Sequence, residues 1–322
     1  MLKRHILLLC IFSFFCGSLL FLQAEETGIV PNVANWEELK WEEMEGDELT
    51  FFVDSGISSK QKSLGTEKLP FKTIDEALSH ITTFKKKGKK IKVVLNIKGN
   101  FISSYSYVIN SPIKIVSLSK NKKTKSSIEF RKNAGFMLSS SFLMLENFSL
   151  IRKETVGEPR TVPLFYVSSS KMKLKDVNID VKEGGGVFYL LSSKFELDNV
   201  FINSRQSDYC NIAELISSKA KISSSKFISV SKGAIALDAS ESEVMVEGLS
   251  YEASSSYFSF VVRAFSSKMS IANTTLIEKG SSKDRRVAII HDKNSQLQES
   301  KVTLSGFSKI AEVRNGRLDY LK

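Results

Sequence analysis

Three kinds of side chain in this chain are placed to do chemistry. These are lysines at a fixed step, a few carboxylates, and isolated histidine and cysteine residues. Lys171, Lys194, Lys219 and Lys268 each follow a serine pair, with Glu243 in the equivalent place, and Lys173 and Lys221 stand two residues further on. Ammonium groups recurring in this way form either a surface for an anionic partner or a solvated face that keeps strands soluble. Among the carboxylates, Asp176 and Asp180 make the best pair, with Arg205 and Asp208 near them. Glu214 and Arg263 read as polar positions of short strands that form no second cluster. His80 and His291 each stand alone and read as packing or surface residues, and Cys210, with no histidine nearby in sequence, reads as a buried inert thiol. Zinc-type spacing and a nucleophile elbow are both missing. Glu183-Gly184-Gly185-Gly186 lacks the strand-to-helix setting that a phosphate loop needs. No catalytic set, metal site or cofactor is therefore expected.

The lysines belong to a repeat. Its pattern is an apolar residue, a serine pair, usually lysine, apolar-x-apolar, a small turn residue and a further apolar pair, as in Leu191 to Ile202. Phe142, Met172, Phe195, Ala220, Val244, Met269 and Leu297 follow the serines at steps of 30, 23, 25, 24, 25 and 28 residues. A period in this range means stacked units, and each unit has room for three short strands and their turns. Strands stack about 4.7–4.9 Å apart, so equivalent residues form columns. The inward pairs are expected to be Phe142 and Met144 (with Leu143 outward), Met172 and Leu174, Phe195 and Leu197, Ala220 and Ile222, Val244 and Val246, and Met269 and Ile271. Asn147, Asp176, Asn199, Ser224, Gly248 and Asn273 are residue types that tolerate a left-handed corner, so that column is structural. Ser170, Ser193, Ser218, Ser242 and Ser267 should stack hydroxyls at another corner. Glu146, Lys175 and Asp198 alternate in sign and support one another across a ladder.

Ahead of the repeats, Leu49 to Asp54 reads as a strand. Thr73 with Glu76 is a capping-box signature, and Ile74, Ala77, Leu78, Ile81 and Phe84 fall at helical spacing. With Phe51-Phe52-Val53-Asp54-Ser55-Gly56, Gly65-Thr66 and Pro70 to Leu78, this stretch resembles the opening of right-handed parallel β-helix proteins of the pectate-lyase-like superfamily, common among secreted and surface proteins of bacteria. The resemblance implies a helix that plugs the end of the coil stack. Lyases of that superfamily group acids around calcium with a basic residue, and its hydrolases group aspartates; neither set is visible here. The predicted fold is all-β, a right-handed single-stranded parallel β-helix of roughly eight to nine coils with an N-terminal capping helix. The last coil is expected to end in an open edge that invites self-association.

Charge and targeting complete the expectation. Residues 1–24 read as a signal peptide, with Lys3, Arg4 and His5 before an apolar run and a small residue, Ala24, before Glu25. Its removal leaves no membrane-spanning segment. Phe15 disfavours Cys16 as a lipidation site, so the protein is expected in the periplasm, on the outer surface or secreted. The formal charge of +11 is uneven, because residues 25–50 carry nine acids against the single Lys40. Trp36, Leu39 and Met44 in that acidic leader approximate a helical face, with an aromatic platform for a sugar as the sharper alternative. Residues 25–50 are read as the leader, 51–90 as strand, loop and cap, and 91–322 as the β-helix. An exported basic body without a recognition motif is not a nucleic-acid binder. It fits an acidic polysaccharide or glycosaminoglycan held by Lys171, Lys173, Lys194, Lys219, Lys221 and Lys268, in a non-enzymatic, adhesin-like module. A polysaccharide lyase or glycoside hydrolase is the alternative.

Overall fold

The computed structural model describes residues 36–58, 62–85, 90–119, 125–131, 133–153, 162–182, 185–281, 286–314 and 317–320. The expected signal peptide, the leader before Trp36 and Glu183-Gly184 lie outside them. From Ile91 onward the alternating pattern folds as short parallel strands, and the chain is a parallel β-solenoid with 62% strand and 4% helix.

The first face stacks Asp47–Asp54, Ile91–Lys98, Ile113–Ser117, Phe142–Glu146, Lys171–Lys175, Lys194–Asp198, Lys219–Ser223 and Glu243–Glu247, followed by the opening residues of Lys268–Glu278 and Gln296–Ser305. A second face runs from Asn100–Ser103 to Phe201–Arg205, and a third from Tyr107–Ile109 to Tyr209–Ile216. Further on, the long strands Lys226–Ser240 and Ser250–Phe265 each serve both of these faces. The stack has about seven turns, close to the eight to nine coils expected.

The core is a set of columns. Leu143, Met172, Phe195, Ala220, Val244 and Met269 occupy one of them, all buried. Phe136, Phe165 and Phe188 stack on the third face with centroids 5.2 and 5.1 Å apart. Burying each such ring contributes roughly 1.5–3 kcal/mol. One register differs from expectation. Leu143 and Leu145 point inward, whereas Phe142 and Met144 pair with Lys171 and Lys173 on the outer side. The run Phe-Leu-Met-Leu is apolar on both faces because the outer one is also covered, so hydrophobicity alone could not fix its register.

Two corners explain the small polar residues. Asn147, Asp176, Asn199, Ser224 and Asn273 have φ between 49° and 56°, and Gly248 has 70°. The first serine of each pair forms a second left-handed corner, at Ser140, Ser169, Ser192, Ser217 and Ser266, with φ of 47–49°. The second serine builds a ladder. Ser193 Oγ accepts the Ser170 N–H at 3.2 Å and donates to the Leu191 carbonyl at 2.7 Å. Ser170, Ser218, Ser242 and Ser267 repeat the pattern. Buried backbone amides at the bend are thereby satisfied from the next coil.

The helix Ile74–Lys85 covers the start of the stack, with Ile74, Ala77 and Ile81 in the main core. Thr73 Oγ1 accepts the Glu76 N–H at 3.1 Å, and the Glu76 carboxylate accepts from the Lys72 N–H at 2.8 Å, so the capping box forms with its return bond shifted by one residue. His80 is a packing residue, its ring 5.4 Å from Phe51 and 5.3 Å from Phe71. At the other end, Arg317–Tyr320 pairs antiparallel with Ser308–Arg314. The last coil is therefore not open on the third face.

Candidate functional site

The lysines gather on the outside of the first face. Lys171, Lys194 and Lys219 occupy consecutive coils, then Glu243 and Lys268. The neighbouring outward column reads Met144, Lys173, Glu196 and Lys221. Parallel pairing forces this grouping, because every second residue of a strand points out and equal repeats put the same residue type on each rung. Lys219 pairs with Glu243 at 2.8 Å.

The face is partly occupied by the chain's own acidic segment. Residues 36–46 run across the rungs as an extended strap with one tight turn, not as the helix expected. Trp36 and Glu37 lie at Lys194, whose Nζ donates to the Glu37 carbonyl and sits 4.9 Å from the Trp36 ring centre. Lys173 Nζ bonds Glu38 at 2.6 Å, the Leu39 carbonyl at 3.1 Å and Glu196 at 3.1 Å, and the Leu39 N–H donates to Glu196 at 3.0 Å. Leu39 and Trp41 pack on Phe142 and Met144, with Trp41 6.0 Å from Phe142. Between Glu37 and Trp41 the strap passes three rungs, two steps of about 4.8 Å, whereas four residues of helix rise only about 6 Å. Trp41 is covered by this packing, to 5% exposure, and Trp36 is half-buried with Lys194 at its ring, so the two form no joint open platform for a sugar.

Electrostatics follow from the pairing. Burial alone would pull Lys173 below the ordinary lysine range, but Glu38 and Glu196 outweigh it and leave its pKa raised. The hydrogen bond and charge of Lys173 hold Glu38 below the usual carboxylate value. Lys194 is lowered, first by burial and then by Lys171 and Lys219 against the opposing Glu37. Lys171 and Lys219 thus set like charge against Lys194 that Glu37 only partly offsets. At the foot of the same face, Trp41, Glu48, Lys92, Lys114 and Glu146 line a shallow cleft of about 460 Å³.

Of the six lysines singled out in the sequence, all stand on this face. Lys173 is 5% exposed beneath the strap and Lys194 touches it, while Lys171 and Lys219 are exposed and Lys221 and Lys268 half-buried. Glu196 was missed; its signal is that it occupies the place held by Lys173 and Lys221 one coil to either side. The strap residues Glu37 and Glu38 were visible only as a charge asymmetry.

The other candidates disperse. Asp176 accepts from Asn199, Asp180 from Asn203, and Asp208 pairs with Lys232. Cys210 is fully buried, with Sγ 3.1 Å from Ser204 Oγ, and burial pushes its thiol pKa up. One expectation needs correction. Glu214, Asp238 and Arg263 stand on successive coils of the third face, next to Tyr189, and Arg263 is ion-paired with Asp238. Their steps of 24 and 25 residues are those of the repeat, so the period itself was the signal. Burial raises the pKa of Glu214, Asp238 adds to the shift and Arg263 opposes it. Among the described residues no group of three or more His, Cys, Asp or Glu is placed to hold a metal ion. No helix among them is long and apolar enough to cross a membrane. No family model matches the chain, and no curated protein matches it.

Proposed function

We propose that the protein is an exported β-solenoid of the secreted and surface type. In this reading it binds linear acidic glycans along its lysine column, as a binding or adhesin-like module of the envelope and not as an enzyme. One observation carries the reading: the column already takes the carboxylates of an extended chain, with Glu38 on Lys173 and Glu37 at Lys194. An acidic glycan laid along the axis meets Lys171, Lys194 and Lys219 on consecutive rungs of about 4.8 Å and, beyond Glu243, Lys268. The test is binding of size-defined heparin across a salt series. Affinity is expected to fall steeply with salt, because exposed charges are screened beyond about 8–10 Å, and to drop at least tenfold, about 1.4 kcal/mol, in Lys171→Glu/Lys194→Glu/Lys219→Glu. Unchanged binding by that triple variant sinks the proposal.

A second reading, cleavage of an acidic polysaccharide, draws on Glu214. A carboxyl whose pKa is raised by burial and by the neighbouring Asp238 is the kind of group that acid–base glycoside chemistry uses. Product release from acidic polysaccharides, with and without calcium, that is lost in Glu214→Gln favours it. No products from wild type refute it.

A further inference from the structure

We infer that the tip of the acidic strap, Trp36 to Glu38, is a built-in competitor of the polyanion face, and that a ligand must displace it to reach Lys173 and Lys194. This rests on the polyanion reading above. The strap has two unlike halves. Its inner half is anchored: Leu39 and Trp41 are buried against Phe142 and Met144, Trp41 Nε1 donates to Glu48 at 2.9 Å, and the chain then enters the strand Asp47–Asp54. Its tip is held by charge. The Glu37 side chain is 87% exposed and 3.9 Å from Lys194, and the Glu38 side chain is 57% exposed.

The long Glu37–Lys194 pair is exposed on its acidic side and contributes only about 0–1 kcal/mol, while Glu38 shares the buried Lys173 with Glu196. The tip also leaves the Trp36 Nε1–H buried without a partner, and a buried donor in that state costs about 1–3 kcal/mol. Releasing the tip therefore costs little. Lys173 keeps Glu196 at 3.1 Å when Glu38 leaves, so the face stays intact. What the tip covers is the middle of the column, with Lys171 on one side and Lys219, Lys221 and Lys268 on the other. A ligand long enough to span these coils must cross the position of Glu37 and Glu38. A polyanion offers Lys194 more charge than a single carboxylate at 3.9 Å does, relieving the repulsion from Lys171 and Lys219.

Both tryptophans of the chain lie in the strap, so intrinsic fluorescence reports on the strap alone. Size-defined heparin is titrated into wild type, Glu37→Gln/Glu38→Gln and Glu42→Gln/Glu43→Gln. The last pair makes the same change in net charge at strap carboxylates that do not touch the lysine column. The expected result is a red shift of wild-type emission at saturation, absent in Trp36→Phe, with about tenfold tighter binding by Glu37→Gln/Glu38→Gln, a coupling of ordinary size. The control pair should bind like wild type. Heparin binding with unshifted emission overturns the inference and leaves the polyanion reading standing, as does equal tightening by both double variants. Heparin bound by neither wild type nor Glu37→Gln/Glu38→Gln overturns both.

Discussion

Arg152 points into the stack between coils and is 1% exposed. Its Nη1 and Nη2 donate to the carbonyls of Val162 and Gly186 at 2.9 and 2.8 Å, which fasten the strand after the loop and the strand stacked on it in the next coil. Burial pulls its pKa down to about 10. Arg152→Ala removes both bonds and opens a cavity, so urea unfolding should show a loss of about 2–4 kcal/mol. Glu214 works in the opposite sense. Its raised folded pKa means that its charged form costs stability, a cost absent below about pH 4.5 and present above it. Glu214→Gln should therefore raise the melting temperature at pH 7 and leave it unchanged at pH 4. Equal effects at both pH values would show that charge is not the cause. Cys210, buried and raised, should resist thiol reagents at pH 8 until the protein unfolds.

Corners and strap are the elements with consequences of their own. Asn199 sits at φ 53°, where a Cβ-branched residue costs roughly 1–2 kcal/mol and glycine nothing sterically. Asn199→Val should destabilise by about that amount and Asn199→Gly much less, measured as a difference in denaturation midpoint. The strap's hold depends on pH through Glu38, which faces Lys173, Lys221 and Lys40, and through Lys173, which faces Glu38 and Glu196. The lowered pKa of Glu38 contributes binding that is present above about pH 4.5 and lost as pH falls through its folded value. The raised pKa of Lys173 contributes up to about pH 10.5 and is lost above. Tryptophan emission should thus shift red on acidification below pH 4.5 while the strand signal in circular dichroism persists. Emission that moves only with global unfolding would count against an independently released strap.

At the level of the whole molecule, a solenoid is stable only as a stack, because each coil buries its flat faces on its neighbours. The vulnerable places are the ends. The helix Ile74–Lys85 closes one, and the strands Ser308–Arg314 and Arg317–Tyr320 lie over Arg286–Asp292 at the other. Val287, Ile289 and Ile290 in that covered strand are buried, whereas the first-face edge strand Gln296–Ser305 carries Gln296, Gln298, Glu299 and Lys301, residues that discourage pairing. Truncation after Ser305 uncovers Val287, Ile289 and Ile290 and should raise the apparent mass in light scattering above that of the intact chain. The expected self-association of the intact chain is accordingly narrowed to that uncovered edge.

The repeat, its corner residues and its serine ladder were legible in the amino-acid order, because a solenoid's partners are the same positions one period away and local pattern becomes tertiary contact directly. The capping helix was legible for a similar reason, since Thr73 and Glu76 bond within one turn. What only the folded chain decided lies outside the period. Phe142 and Met144 face outward because Trp41 and Leu39, some hundred residues earlier, cover them. Glu214, Asp238 and Arg263, by contrast, stand at the repeat's own steps of 24 and 25 residues, so their column was readable from the period. The lysine column and the acidic leader, two separate charge patterns in the sequence, are partners in space: Lys173 and Glu38 are 135 positions apart. No periodicity links them, and only the path of the strap across the rungs joins them.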